Sequence, residues 1–206
     1  MTKPHPVIQK QKVVVTGGAG FVGSHIVDAL IKKGFEVHVI DNLSNGKKEH
    51  VNTQAVLHVI DITDLQAITP IFAGSSFVFH LAALPRVQYS IDHPQETNTV
   101  NVEGTLNVLT ASQQAGVKKL IFSSSSAVYG DQDVLPLSED LPAMPQSPYA
   151  LHKYIGELYC RLWSIFTHFP RSHSAISTYM VQGMTRTARM HWLLASFCIN
   201  GFRANR

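Results

Sequence analysis

A parallel α/β fold, with helices on both faces of one doubly wound sheet, is what this sequence predicts. Three observations carry that reading. Short apolar, strand-like runs alternate with helix-like ones through residues 1–164. The first of them passes directly into a glycine-rich turn, as a strand feeding a crossover helix does. The length of 206 residues suits one domain with a sizeable core.

Lys12 to Thr16 reads as a buried strand, with Val13, Val14 and Val15 in a row. Gly17-Gly18-Ala19-Gly20-Phe21-Val22-Gly23 follows at once, and a helix-like run continues to Lys33. A second strand, Glu36 to Ile40, ends in Asp41. Strand, glycine turn, helix, strand, acid is the order of a dinucleotide site. Glycines at Gly17, Gly20 and Gly23 permit a tight turn, close approach of backbone N–H groups to a pyrophosphate, and close helix packing; the helix N-terminus favours the anion. Their spacing differs from the tighter Gly-x-Gly-x-x-Gly form. Asp41 lies 18 residues beyond Gly23, where a carboxylate can accept from both ribose hydroxyls. An acid there repels a 2′-phosphate, which favours NAD over NADP.

Phe77 to Phe79 reads as a fourth strand and Lys118 to Ser123 as the next, running into Ser124-Ser125-Ser126-Ala127-Val128-Tyr129-Gly130. Downstream lies Tyr149-Ala150-Leu151-His152-Lys153. Helical residues four apart share a face, so phenol and ammonium can point at one reacting centre. A nearby cation should lower the tyrosine pKa from about 10 towards that of a usable base. A serine hydroxyl from the strand end can complete the proton path.

Together these residues closely resemble the extended short-chain dehydrogenase/reductase family, and within it the nucleotide-sugar epimerases of the UDP-glucose 4-epimerase type, from about Lys12 to Ser164. Asp41-Asn42-Leu43-Ser44-Asn45-Gly46 is similar to the adenosine-ribose loop, and Asp61-Ile62 to the adenine contact after the third strand. His80-Leu81-Ala82-Ala83 resembles the loop beneath the cofactor, with Leu81, Ala82 and Ala83 as its cofactor-binding residues, and Asn101 matches the family's buried asparagine behind the site. Phe21 and Val22 belong to the phosphate turn. The resemblance implies a Rossmann-type sheet, bound NAD, a UDP-sugar substrate and a homodimer. It also implies Ser125, Tyr149 and Lys153 as catalytic residues, with Ser125 and Tyr149 touching the sugar. In that chemistry Tyr149 removes the 4-hydroxyl proton, Ser125 relays or positions it, and hydride leaves C4 and returns to its opposite face. Lys153 contacts the nicotinamide ribose. Dehydratases and decarboxylases of the family carry an acid after the active-site hydroxyl residue, where this chain has Ser126-Ala127. A reductase needs only Ser, Tyr and Lys, and a non-catalytic NAD-binding relic is the remaining alternative. Leu84, Pro85 and Arg86 are further candidates to touch the sugar.

Composition narrows the alternatives. Cys160 and Cys198 are too few and too isolated for a disulfide framework or metal site, and the eleven histidines show no ligand spacing. Met1 to Lys12 carries three lysines and two prolines without the apolar core of a leader. No segment reaches the ~18 apolar residues of a membrane span. The expectation is a cytoplasmic protein without membrane or nucleic-acid partners.

The net charge of +3 is unevenly placed: residues 1–164 hold twelve Lys and Arg against fourteen acids, net −2, whereas 165–206 hold five arginines and no acid, net +5. The family segment expected here resembles Leu-Arg-Tyr-Phe-Asn-Val-Tyr-Gly-Pro-Arg, and the chain as read shows nothing like it and no recognisable strand. Reading each codon from the third base of one residue and the first two of the next changes this. Met180–Val181 is then forced to GGT, glycine; Met184–Thr185 to GAC, aspartate; Met190–His191 to GCA, alanine. With permitted codons elsewhere, Ser174 to Trp192 reads Arg-Tyr-Phe-Asn-Val-Tyr-Gly-Pro-Arg-His-Asp-Pro-His-Gly-Pro-Tyr-Ala-Leu. The sequence therefore predicts a dinucleotide domain over 1–164 and a frameshifted tail over 165–206. The sheet should be incomplete, the strand Lys118–Ser123 should lack its downstream neighbour, and the C-terminal substrate domain should be missing. The chain should be inactive as written, and the altered tail puts the homodimer in question.

Overall fold

The computed structural model describes residues 10–132, 137–166 and 175–178. Six parallel strands form one sheet: β1 (Lys12–Thr16), β2 (Glu36–Asp41), β3 (Val56–Val59), β4 (Ser75–His80), β5 (Lys119–Ser125) and β6 (Ala175–Thr178), in the spatial order β3-β2-β1-β4-β5-β6. The strand order reverses between β1 and β4. In an open α/β sheet, the strand C-termini at such a reversal part and leave a crevice.

The valine run of β1 is continuous because both faces of the strand are covered. Val14 points into a core with Ile68 and Phe72 of α2 (Leu65–Phe72), Val108 and Leu109 of α5 (Gly104–Gln114), and Phe122 of β5. Val13 and Val15 point the other way, onto Ile26, Val27 and Leu30 of α1 (Phe21–Lys32). Period-2 alternation thus feeds two apolar layers, and no polar face is needed. Asp64 starts α2 by accepting the Ala67 N–H at 3.0 Å.

Between β4 and α5 the chain folds into α3 (Val87–Asp92), α4 (Pro94–Asn98) and a π-helical turn, Thr99–Glu103, that runs straight into α5. After β5 a 3-10 turn, Ser126–Tyr129, leads towards α6 (Pro148–Phe166). Two contacts seat α6. The Tyr149 N–H donates to Ser90 Oγ of α3 at 3.0 Å, and Gly156 lies so close to Phe122 that a Cβ there would stand 2.4 Å from the ring.

One expectation is corrected. The tail was expected to hold no strand and to leave β5 without its downstream neighbour. Instead β6 pairs with β5 in parallel, Phe122 opposite Ala175 and Ser125 opposite Thr178. An unpaired β5 would expose a row of backbone N–H and C=O groups, and a short extended segment containing β-branched Ile176 and Thr178 is suited to satisfy them. The strand falls on residues whose shifted-frame reading is Tyr-Phe-Asn-Val. Among the described residues no helix is long and apolar enough to cross a membrane.

Candidate active site

The glycine turn leaves β1 at the strand-order reversal. Gly17 adopts φ +72°, a left-handed conformation, and a Cβ on it would stand 2.6 Å from the Ala82 nitrogen. At the start of α1 a Cβ on Gly23 would stand 2.1 Å from the Gly17 carbonyl oxygen. Gly20 donates its N–H to that same oxygen at 3.2 Å. Phe21 is 52% exposed over the turn, with Val22 half-buried beside it. The result is a turn of bare backbone at a helix N-terminus, a setting that favours an anion.

Asp41, at the end of β2, is 8% exposed. Its Oδ2 accepts the Ala19 N–H and its Oδ1 the Leu43 N–H, each at 2.9 Å. The carboxylate therefore ties the phosphate turn to the loop after β2, a structural role that spacing alone does not reveal. Each oxygen keeps lone-pair capacity for a ribose hydroxyl. Leu43 stands at φ 60°, fixed by that bond, and Ser44 donates its N–H to Asn42 Oδ1 at 3.0 Å. Ser44 and Asn45 are exposed, and Gly46 packs against Ala19.

Asn42 reaches across to Asp61, Nδ2 to Oδ2 at 2.7 Å. Partial burial would raise the Asp61 pKa, but hydrogen bonds from the Thr63 N–H and hydroxyl and from Asn42 outweigh it and hold the carboxyl below its ordinary range. Ile62 is a core residue under Gly104, and its carbonyl accepts from Asn107 at 3.1 Å. It therefore offers a ligand backbone only.

Leu81, Ala82 and Ala83 are half-buried where β4 ends. Asn101 sits in the π-helical turn with both ends of its amide on Leu84: Oδ1 accepts the Leu84 N–H at 2.8 Å and Nδ2 donates to the Leu84 carbonyl at 3.1 Å. Any influence on a ligand passes through that loop. Pro85 and Arg86 are exposed beyond it.

Tyr149 and Lys153 lie on α6 beside the end of β5, 9% and 5% exposed. Lys153 Nζ donates to the Ser123 carbonyl at 2.8 Å and stands 5.0 Å from the Phe122 ring centroid and 6.0 Å from that of Tyr149. Burial pushes its ammonium down to about 8. The Ser125 hydroxyl accepts the Ala127 N–H at 3.2 Å and lies close enough to the Tyr149 phenol to favour its ionised form. The expected lowering of the tyrosine pKa is corrected here: burial dominates and raises it, while the Ser125 hydroxyl pulls the other way. Lys153 gives too little field at this distance to reverse a desolvation cost. Behind the pair, Ser124 Oγ donates to Glu157 Oε1, and burial pushes the Cys160 thiol up to about 12, which keeps it protonated and unreactive. Among the described residues no group of His, Cys, Asp and Glu could hold a metal ion.

His80 is expected from the sequence only as the first residue of the loop beneath the cofactor, with no role of its own. It lies 1% exposed between Thr16 of β1 and Thr105 of α5, with Nδ1 2.7 Å and Nε2 2.9 Å from their hydroxyls. Those partners are 64 and 25 residues away in sequence, and no local pattern reveals them.

The family model for the NAD dependent epimerase/dehydratase family matches residues 13–165. A UDP-glucose 4-epimerase of Oryza sativa subsp. japonica is 40% identical over 161 residues, 72% of this chain and 40% of that protein. The crystal structure of UDP-glucose 4-epimerase with UDP-glucose from Thermotoga maritima superposes with a TM-score of 0.75 at 40% identity, over 77% of this chain and 53% of that one. The Thermus thermophilus UDP-glucose 4-epimerase complex with NAD gives 0.73 at 38% identity, over 77% and 52%. The chain spans about half the length of the relatives it matches.

Proposed function

Since the chain belongs to the NAD dependent epimerase/dehydratase family, we propose that it carries the cofactor half of a nucleotide-sugar 4-epimerase of the UDP-glucose type. The single observation that carries this reading is the pairing of Tyr149 and Lys153 one turn apart on α6, both buried beside the end of β5 where Ser125 lies close enough to favour the phenolate. The residues fit NAD: the bare backbone of the glycine turn would hold the pyrophosphate, Asp41 the adenosine ribose, and Asn42 with Asp61 the adenine edge.

When bound, NAD would supply the hydride acceptor and donor for oxidation and reduction at sugar C4. Tyr149 takes the proton of the 4-hydroxyl and later returns it, within reach only if the phenol is partly ionised. Burial opposes ionisation, and the Ser125 hydroxyl favours it by donating to the phenolate oxygen. Lys153, still mostly protonated near neutral pH, adds positive charge and has two donors beyond the one given to Ser123. Buried Phe122 and Val128 help exclude water from this end of the crevice. In the dehydratase alternative a carboxylate would follow Ser125; here Ser126 and Ala127 form the 3-10 turn instead.

We further infer that residues 165–206 are the product of a frameshift near Ser164 to Thr167 and that the polypeptide as written does not turn over a nucleotide sugar. Support comes from the acid-free tail and from the forced glycine and aspartate in register with the family segment. The coding DNA across residue 165 tests the first point. The second is tested by following UDP-galactose with the 206-residue chain and with a chain restored to the alternative frame after Ser164. Equal rates would remove any functional meaning from the frameshift.

A further inference from the structure

We propose that His80 is the positioning residue of the cofactor crevice: as a neutral Nε2–H tautomer it orders a one-way hydrogen-bond chain that holds the Leu81–Ala83 floor against the glycine turn. This rests on the dinucleotide reading above.

Donor counting fixes the direction. The Thr105 hydroxyl has one proton, and at 2.6 Å from the Asn101 carbonyl it donates there. Towards His80 Nε2, at 2.9 Å, the Thr105 oxygen can only accept, so Nε2 carries hydrogen. The Thr16 oxygen accepts the Ala82 N–H at 3.3 Å and gives its own proton to His80 Nδ1 at 2.7 Å. Every link then runs the same way, from Ala82 through Thr16, His80 and Thr105 to Asn101.

An imidazolium would break the series, because Nδ1–H would face the Thr16 proton. Burial holds the ring neutral down to about 3, and the nearby Lys153 ammonium acts in the same direction. The geometry leaves little slack. Ala82 is held by Thr16, Leu84 is clamped by Asn101, and the Leu81 N–H donates to the Thr16 carbonyl at 3.0 Å. Gly17 abuts Ala82 so closely that even a methyl group would collide. The chain thus spans β1, β4 and α5 where the strand order reverses, and a displaced Ala82 would move the glycine turn itself.

The test labels histidine with nitrogen-15 in the 206-residue chain and identifies His80 by the signal lost in His80→Gln. The expected spectrum is that of a neutral Nε2–H ring, unchanged from pH 8 to pH 5. An Nδ1–H, exchanging or protonated ring overturns the proposal. Calorimetry with NAD supplies the second readout. Thr105→Val, which deletes the acceptor at constant volume, should weaken NAD by roughly tenfold and release the tautomer, while Thr105→Ser keeps both. Thr16→Val is read in the same way if Thr105→Val does not fold. Binding by the valine variants equal to that of the parent sinks the positioning role. Absence of NAD binding by the parent chain is instead the failure of the dinucleotide reading, and the proposal falls with it.

Discussion

Lys153→Met should stabilise the fold at neutral pH while weakening the site. The parent ammonium loses its proton near pH 8 in the folded chain, against an ordinary 10.5, because it is buried. Between those values the unfolded chain holds the additional proton, so stability rises with pH through the window. The deficit is complete below pH 8 and gone above 10.5, and it amounts to roughly 3 kcal/mol. Methionine has similar length and no charge to desolvate. It forfeits the bond from Nζ to the Ser123 carbonyl, which offsets about 1–3 kcal/mol. At pH 7 the variant should therefore match or exceed the parent by up to about 2 kcal/mol. By pH 10 the parent should have recovered most of its deficit and become the more stable of the two. Urea unfolding of both chains at the two pH values measures this, because other titrating groups cancel in the difference. A stability difference that stays constant with pH, or moves in favour of the variant as pH rises, would refute the buried-ammonium argument. NAD affinity should fall in the same variant.

Asp41→Ala leaves the Ala19 and Leu43 N–H groups without their acceptor, which should cost about 1–3 kcal/mol each, and should narrow the preference for NAD over NADP measured by calorimetry. Gly23→Ala forces a methyl group onto the Gly17 carbonyl, so NAD binding should be lost and the folding free energy should fall by at least the ~1–3 kcal/mol typical of overpacking, measured by urea unfolding. Tyr149→Phe in the frame-restored chain should retain NAD and lose about 10²–10⁴-fold in rate, read from the configuration at sugar C4 by NMR.

Much of the fold is legible because its signals are local. The Val13–Val15 run, the glycines after it and the acid at Asp41 place β1, α1 and β2 within one residue of their observed ends. Tyr149 and Lys153 are legible for the same reason, since helical spacing alone puts them on one face. What sequence could not give depends on distance in the chain or on burial. β6 exists through pairing with β5, far earlier in the chain, not through any pattern of its own. The Tyr149 pKa follows from how deeply α6 packs, which the Tyr-x-x-x-Lys spacing does not encode. Asp41 was expected as a ribose acceptor, and its two backbone partners become visible only when the turn and the loop close around it. The His80 chain joins three elements and needs all of them folded.

The most direct test of the central claim follows UDP-galactose in heavy water with the frame-restored chain, recording NMR of the sugar and absorbance of the cofactor. Transient oxidation at C4 with an internally returned hydride predicts UDP-glucose as product, no deuterium at C4 and no net accumulation of NADH. A sugar that has lost water, a stoichiometric build-up of NADH, or deuterium at C4 would contradict the account.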